Sequence, residues 1–509
     1  MLTAQNDREN ALSPVTSGQL QQLADGLREH SGFVEVLTSL QQGHGGTIGG
    51  TWGAASSLAV AGIASARAGE KTGLVVVVVP HAVDADMFAD DLTLFTSLAI
   101  DVLPAIESID DPSADHETLI NDPAEAQRLA LVKRLVDYSD ESPRILVTSM
   151  QAVLTPLADP RQIEESTRHL TLGAKVDPQE LVEWLSARGW QQVDTLDSPG
   201  SFARRGGIID LFATDWERPV RLELNDDEID SLRTFDTVSQ RSVRTLESID
   251  LTALQSFNKS THRAWLTDVV PSGTWWSLIE PQELLDEGKR LATILPVKST
   301  LQSEELFTRV YRFPSVILSA IAPTSFEATA HLAVESVERF TGQLDRVCHE
   351  LDTVGKDQEV WIAAPTEAEE QRLNELLSPS APARAGRLHF LQGRLSAGFR
   401  LVPEKFVLIS AAELFRRQDS PRNRLPKHRL TRTIDTFLDL NEGDFVVHVA
   451  HGIARYKGLK LLEKHSRTEE FLELEFAEST RVYVPASSIE LVQKYVGGGK
   501  TGPKLAKIG

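Results

Sequence analysis

Few residues of this 509-residue chain have the type and spacing to do chemistry, and each is judged by what surrounds it. Residues 43–53 (GHGGTIGGTWG) form the densest glycine run and the obvious candidate for a phosphate cradle. Such a cradle needs glycines for close backbone approach, a Lys for the terminal phosphates and a Ser or Thr for the metal. Read with Thr51 as the hydroxyl, Gly50 stands where the Lys should be; read from Gly46, Trp52 takes the Lys place and Gly53 the hydroxyl's. The loop carrying Gly46, Gly49, Gly50, Thr51 and Trp52 therefore reads as degenerate and non-hydrolysing. Gly499-Lys500-Thr501 has the end of a phosphate-loop motif, but Lys494 replaces its first glycine and Gly502-Pro503 forbids a following helix. Asp227-Glu228-Ile229-Asp230 looks like a magnesium-binding box, yet it follows a turn at Asn225-Asp226 and reads as solvated turn carboxylates. His448 and His451 have no third ligand nearby. No catalytic residue and no metal site is assigned.

Composition narrows the class. A net charge of −21 argues against a chain whose main task is coating nucleic acid. One cysteine, Cys348, rules out an intramolecular disulfide and suits a reducing cytoplasm. The start, MLTAQNDREN, lacks the basic and apolar parts of a secretory signal, and the longest aliphatic run, residues 74–79, is far too short to span a bilayer. The expectation is a cytoplasmic protein with no membrane partner, built of about three to four domains.

The elements that would position these residues follow from periodicity. Helical spacing over 19–27, 32–40, 54–68 and 124–138 alternates with buried strands at 74–79 and 144–149, which predicts a parallel α/β domain. Around His169 the pattern changes. An amphipathic helix over 178–188 ends at Gly189, and three short apolar runs follow, at 208–212, 220–224 and 229–235. In the middle run Val220, Leu222 and Leu224 point one way and Arg221 and Glu223 the other, so the meander has one buried and one charged face. With no nucleophile or phosphate loop in it, that face reads as a docking surface.

A helix at 282–291 and a strand at 315–320 would return to complete the first domain. A helix over 333–351, strands at 359–364, 388–391 and 406–410 and a helix at 367–377 predict a small separate α/β domain. Residues 416–432 concentrate Arg416, Arg417, Arg422, Arg424, Lys427, Arg429 and Arg432 against Asp419 alone, either as a solvated linker or as a contact for DNA phosphates or an acidic partner. Short strands at 444–449, 453–457, 471–476 and 481–484, with turns at Gly452 and Gly458, predict a small SH3- or Tudor-like barrel. The expected division is an α/β domain of residues 1–168 and 257–332, an antiparallel α+β insert at 169–256, the small α/β domain at 333–415, the linker at 416–436, the barrel at 437–497 and a tail at 498–509.

Two of these stretches carry a family resemblance. PGSFARRGGIIDLF (199–212), RPVRLELNDDEIDSLRTFD (218–236) and SQRS (239–242) resemble the insert of the UvrB-homology module, and within that group most resemble the bacterial transcription-repair coupling factors. The degenerate glycine loop and RILVTSMQAVLTP (144–156) agree with it. GDFVVHVAHGIARYKGL (443–459) and VYVPASSI (482–489) resemble the RNA-polymerase-interacting domain that this family shares with CarD-type regulators.

The resemblance implies that the insert contacts UvrA. Carried onto this chain, the binding residues are Arg205, whose planar fork suits a partner carboxylate, with Phe202, Arg204, Arg221 and Glu223 as neighbours. The alternative for Arg205 is pairing within the meander. Where the family can carry a further Arg before the meander, this chain has Gln191 and Gln192. The barrel is implied to dock by an exposed strand edge on the β subunit of RNA polymerase, with Leu472, Glu473, Leu474 and Tyr483 as its residues; the alternative is that the two leucines are core. ATP and magnesium would belong to a translocase motor that follows the barrel in the family, so no cofactor is expected in this chain. The implied role is an adaptor between stalled polymerase and UvrA. The alternatives are a nucleotide-dependent, UvrB-like helicase and a purely polymerase-binding regulator.

Overall fold

A computed structural model describes residues 18–106, 123–139, 142–196, 198–237, 239–253, 263–295, 300–321, 328–337, 340, 342, 346–415, 445–448, 452–464, 467–477, 480–485 and 492–494. The chain divides into two compact units, residues 1–423 and 424–509.

In the first unit, helices α1 (Gly18–Gly26) and α2 (Ser31–Gln41) lead into strand β1 (Gly46–Gly49). There follow α3 (Ala55–Ser65), β2 (Val75–Val79), α4 (Ala82–Phe95), β3 (Ile100–Leu103), α5 (Pro123–Val136) and β4 (Ile145–Ser149). The five consecutive valines of β2 are all buried, as expected of a parallel strand covered on both faces. The glycine run is not all loop: its centre is β1, a buried strand. A side chain at Gly46 would meet Val36 Cγ1 at 2.9 Å, so the glycine admits α2 close to the sheet.

The insert comprises β5 (Thr167–Thr171), α6 (Pro178–Ala187), β6 (Gln191–Gln192), β7 (Ser201–Arg205), β8 (Ile208–Phe212), β9 (Val220–Asn225), β10 (Glu228–Phe235), β11 (Ser242–Leu246) and β12 (Ser248–Thr252). Its six-stranded sheet runs β11-β10-β9-β8-β7-β6, antiparallel except for β6 beside β7, while β5 pairs with β12. Asp177 caps α6 by accepting from the Gln179 and Glu180 N–H groups, with Pro178 at the first helical position. Leu181 and Leu185 of α6 pack on Phe202, Ile209, Leu211, Leu222 and Leu232 of the sheet. Lys133 of α5 ties the insert down: its Nζ donates to Asp215 Oδ2 at 2.7 Å and to Thr252 Oγ1 at 3.0 Å.

The chain then returns through β13 (Trp275–Ile279), α7 (Pro281–Ala292), β14 (Ser315–Ser319) and β15 (Thr329–His331). These complete a seven-stranded parallel sheet in the order β15-β1-β14-β13-β2-β4-β3. The insert thus interrupts one sheet in sequence without breaking it in space.

Next come β16 (Val334–Ser336), α8 (Val347–Val354), β17 (Glu359–Ala364), α9 (Glu367–Leu377), β18 (Leu388–Gln392), β19 (Phe399–Leu401) and β20 (Phe406–Ser410). They make a five-stranded mixed sheet ordered β16-β19-β20-β17-β18. Two expectations are corrected. The continuous helix over 333–351 is instead a strand, Val334–Ser336, and a later helix, because Val334 is needed in the core beside Leu332. Nor does this domain pack separately: Phe399, Leu401, Phe406 and Leu408 share one apolar cluster with Leu58, Leu92 and Phe95, and the Phe95 and Phe399 ring centroids are 6.2 Å apart.

The second unit contains β21 (Phe445–His448), β22 (Gly452–Lys464), β23 (Arg467–Glu475), β24 (Arg481–Pro485) and β25 (Val492–Lys494). They form an antiparallel sheet ordered β24-β23-β22-β21-β25. Gly458, expected in a turn, lies inside β22 at φ +114° where the register shifts between Tyr456 and Leu459; it serves a bulge, and the strand continues to Lys464. The basic stretch 416–432, His451, the tail from 498 and its Gly499-Lys500-Thr501 lie outside the described residues.

Candidate docking faces and a filled glycine loop

Strand pairing sorts the insert residues onto two faces, because directly paired residues lie on the same side of a sheet. Ala203, Asp210, Arg221 and Arg233 are register partners across β7 to β10, and Arg205, Ile208, Glu223 and Ser231 form the adjacent row on that same face. Arg221 donates from Nε to Asp210 Oδ1 at 2.7 Å and from Nη2 to Asp210 Oδ2 at 2.8 Å, and its guanidinium lies 4.7 Å from the Phe235 ring centroid. Glu223 accepts from Ser231 Oγ at 2.8 Å and from Arg233 Nη2. The Ser231 hydrogen bond, helped by Arg233, holds its carboxyl below the usual range. These pairs leave Arg221 and Glu223 committed within the sheet.

Arg205 is different. It is exposed at the end of β7, where Gly206 (φ +64°) and Gly207 turn the chain into β8, and its Nη2 donates to the Asp194 carbonyl. A backbone carbonyl takes part of the fork and leaves the charge without a carboxylate in that contact. Arg204 and Phe202 lie on the opposite face, since neighbours in a strand alternate. Phe202 is wholly buried, and Arg204 Nη1 donates to Gln179 Oε1 on α6 at 3.0 Å.

At the carboxyl end of β1 the chain passes Gly50 (φ +77°), Thr51, Trp52 and Gly53 (φ +55°) into α3. Crevices at the carboxyl ends of parallel strands are where open α/β sheets bind ligands. Here two of the backbone donors are already taken up by other segments. The Thr51 N–H donates to the Ser319 carbonyl at 3.2 Å and the Ala54 N–H to the Ala397 carbonyl at 3.1 Å. A Cβ on Gly53 would lie 2.9 Å from the Gly398 carbonyl oxygen, and one on Gly50 would collide with that of Leu332. The first turn of α3 carries Ser56 and Ser57, where a phosphate loop carries its Lys and Ser/Thr. Neither the register ending at Thr51 nor the one starting at Gly46 includes these two positions, which the start of α3 brings into view.

In the second unit Glu473 is a buried acceptor for Lys460 Nζ at 3.0 Å and Arg481 Nη1 at 2.7 Å, with the Tyr483 hydroxyl at 3.4 Å. The Lys460 hydrogen bond leads in holding its carboxyl below the usual range. Tyr483 is 38 % exposed on β24, an edge of this sheet among the described residues.

Comparison with known proteins places both units. Residues 169–257 match the UvrB interaction domain, and residues 440–496 match the CarD-like/TRCF RID domain. The transcription-repair-coupling factor of Bacillus subtilis (strain 168) is 25 % identical over 95 % of this chain and 48 % of its own length. That of Escherichia coli (strain K12) is 26 % identical over 91 % of this chain and 46 % of its own. The chain is related to the transcription-repair-coupling factors. It spans about half the length of these relatives.

Set on that relationship, the residues singled out in the sequence divide by position. Arg205, Arg221 and Glu223 share one face; Phe202 and Arg204, expected on or near that surface, lie on the opposite face by the two-residue period of β7. Leu472 and Leu474 are both wholly buried in a core with Val446, Tyr456 and Phe476, so the core alternative holds for their side chains. At these positions their strand, β23, is paired on both sides and offers no free edge. Of the acidic stretch, only Asp227 lies in the turn, where it accepts from Lys175 Nζ at 3.0 Å; Glu228 and Asp230 are exposed at the start of β10, which corrects the reading of all three as turn carboxylates. Among the described residues no group of three His, Cys, Asp or Glu side chains could hold a metal ion, and no helix is long and apolar enough to cross a membrane.

Proposed function

We propose that this chain is a bivalent adaptor of transcription-coupled DNA repair, with the 169–257 module recruiting UvrA and the 440–496 module engaging RNA polymerase. The observation that carries this reading is the presence of both modules in one chain that is related along most of its length to transcription-repair-coupling factors. On the insert, Arg205 is the recognition residue: the other charges of its face are paired internally, so it is the fork best able to take a partner carboxylate bidentately. On the polymerase side, the C-terminal sheet acts as an SH3- or Tudor-like platform that docks on the β subunit through an edge strand, with Tyr483 and Arg481 at β24. The basic stretch from Arg416 to Arg432 adds a salt-sensitive contact with DNA.

The glycine loop in this reading neither binds nor hydrolyses ATP, since its Thr51 and Ala54 N–H groups already have acceptors and Ser56 stands where the Lys should be. ATP and magnesium serve a motor of the kind the whole relatives would carry. The deciding experiment is capture of purified UvrA and of purified RNA polymerase by the immobilised chain. Binding of both, with UvrA lost on Arg205→Ala and polymerase retained, is expected. Failure of the unmutated chain to bind UvrA overturns the adaptor.

A further inference from the structure

On the reading proposed above, that the glycine loop is a relic nucleotide site, the small α/β domain reaches into the place that a phosphate would take. Its loop between β18 and β19 presents the Ala397 carbonyl to the Ala54 N–H, and a Cβ on Gly53 would lie 3.0 Å from that oxygen and 2.9 Å from the Gly398 oxygen. These are electron-rich atoms at the amino end of α3, where unsatisfied N–H groups and the helix dipole favour negative charge.

The loop is anchored from both sides. Asp91 of α4, itself 2 % exposed, accepts from the Ser396 N–H at 2.7 Å and from Ser396 Oγ at 2.5 Å. Glu413 accepts from the Gly398 N–H at 2.9 Å and from the Ser410 N–H at 2.9 Å. Leu395 and Phe399 on either side are buried in the shared apolar cluster. Two carboxylates and two apolar anchors thus hold three residues of backbone against the glycine loop.

From this geometry we propose that residues 396–398 are a built-in plug: the small α/β domain is the permanent intramolecular occupant of the former phosphate position. The domain acquires a function by this assignment. It supplies, from within the chain, the acceptors that a bound nucleotide would supply, and so keeps the first α/β domain in a fixed conformation without a ligand. Thr51 Oγ1 and Ser57 Oγ, buried without a hydrogen-bond partner, are what remains of the polar lining.

The test is hydrogen exchange of the whole chain, read at the Ala54 amide. In the unmutated protein that amide is protected, and addition of ATP with magnesium changes nothing in residues 50–57. Ser396→Ala, which removes one anchor while leaving the fold's apolar contacts, speeds exchange at Ala54 about tenfold, the scale of one hydrogen bond. Ser396→Thr, which keeps the hydroxyl, restores protection. Far-UV circular dichroism checks that each variant is folded. Unchanged exchange at Ala54 in a folded Ser396→Ala protein overturns the plug, as does nucleotide-dependent protection of residues 50–57 in the unmutated chain. Capture of UvrA is unaffected by either variant, so failure of the plug is distinguishable from failure of the adaptor.

Discussion

Arg221 and Asp210 face each other across β9 and β8 and form a two-pronged ion pair, 2.7 Å from Nε to Oδ1 and 2.8 Å from Nη2 to Oδ2. Asp210 is nearly inaccessible and the Arg221 side chain only 20 % exposed, so the pair is part of the insert's structure although it sits on the charged face. That commitment separates the arginines of this face by role. Arg221 holds the sheet, and Arg205 is presented by it.

Asp210→Ala leaves the Arg221 guanidinium half-buried without its carboxylate. Breaking a buried pair from one side costs roughly 3–5 kcal/mol, and the solvent access of Arg221 places the expected loss at about 3 kcal/mol. Arg205→Ala, at an exposed strand end, stays within about 0.5 kcal/mol of the parent. Urea unfolding followed by tryptophan fluorescence compares the two, with Trp184, Trp190 and Trp216 in the insert as reporters.

Affinity for UvrA follows the opposite order. A charge whose partner carboxylate is supplied only in the complex costs about 2–5 kcal/mol when truncated, so Arg205→Ala weakens capture by at least about tenfold. Arg205→Lys recovers only part, because an ammonium lacks the planar fork. Arg204→Ala leaves capture near the parent level, since Arg204 belongs to the α6 side through Gln179. Titration by surface plasmon resonance against immobilised UvrA gives all three.

The alternation that assigns these arginines was legible in part. Val220–Leu224 announced its two faces because each position differs from the next in polarity; Ser201–Arg205 did not, because a serine, a phenylalanine and an alanine are all buried there. The cause is a second, smaller core on the charged face, in which Ala203 packs with Leu196, Phe212 and Phe235. Similarly, glycines at 46 and 49 read as loop because glycine disfavours strands. Only the neighbours, Val36 above and the strands β14 and β15 on either side, show why a strand without side chains is needed. The contacts of residues 396–398 with the glycine loop join positions more than 300 apart in sequence, and no local pattern announces them.

Asp91 makes the stability of the first unit depend on pH. Burial, opposed by the two Ser396 hydrogen bonds, raises its pKa from an ordinary 3.8 to about 7; Asp90 and Glu413 are the charged groups facing it, and both push upward. The folded state therefore holds a proton that the unfolded chain has released. The stabilisation is full below the unfolded value, declines as pH rises between roughly 4 and 7, and is flat above. Asp91→Asn removes this slope. Melting temperatures measured at pH 5 and pH 8 should differ less for the variant than for the parent, and an equal difference would exclude Asp91 as the source.

Glu473 links the last prediction to polymerase binding. It is the buried acceptor under β24, drawing in Lys460 and Arg481, while Leu472 and Leu474 on either side of it point into the core. Substituting Leu474 by Ala should act through stability: removal of a buried leucine costs about 2–5 kcal/mol, and any loss of polymerase binding then tracks unfolding. Tyr483→Ala, at an exposed position of the edge strand, should leave the melting temperature of the unit nearly unchanged and still lower polymerase capture, because its partly exposed ring covers the sheet face beside that edge. Glu473→Gln keeps the shape but gives up the charge that pairs Lys460 and Arg481; because that carboxylate is buried, salt screens the pair little, and the effect should persist at high salt as that of Leu474→Ala does. Parallel melting and polymerase pull-down at two salt concentrations separate the core residues from the edge residues. Equal losses of stability and binding at Tyr483 would move the docking edge from β24 to β25.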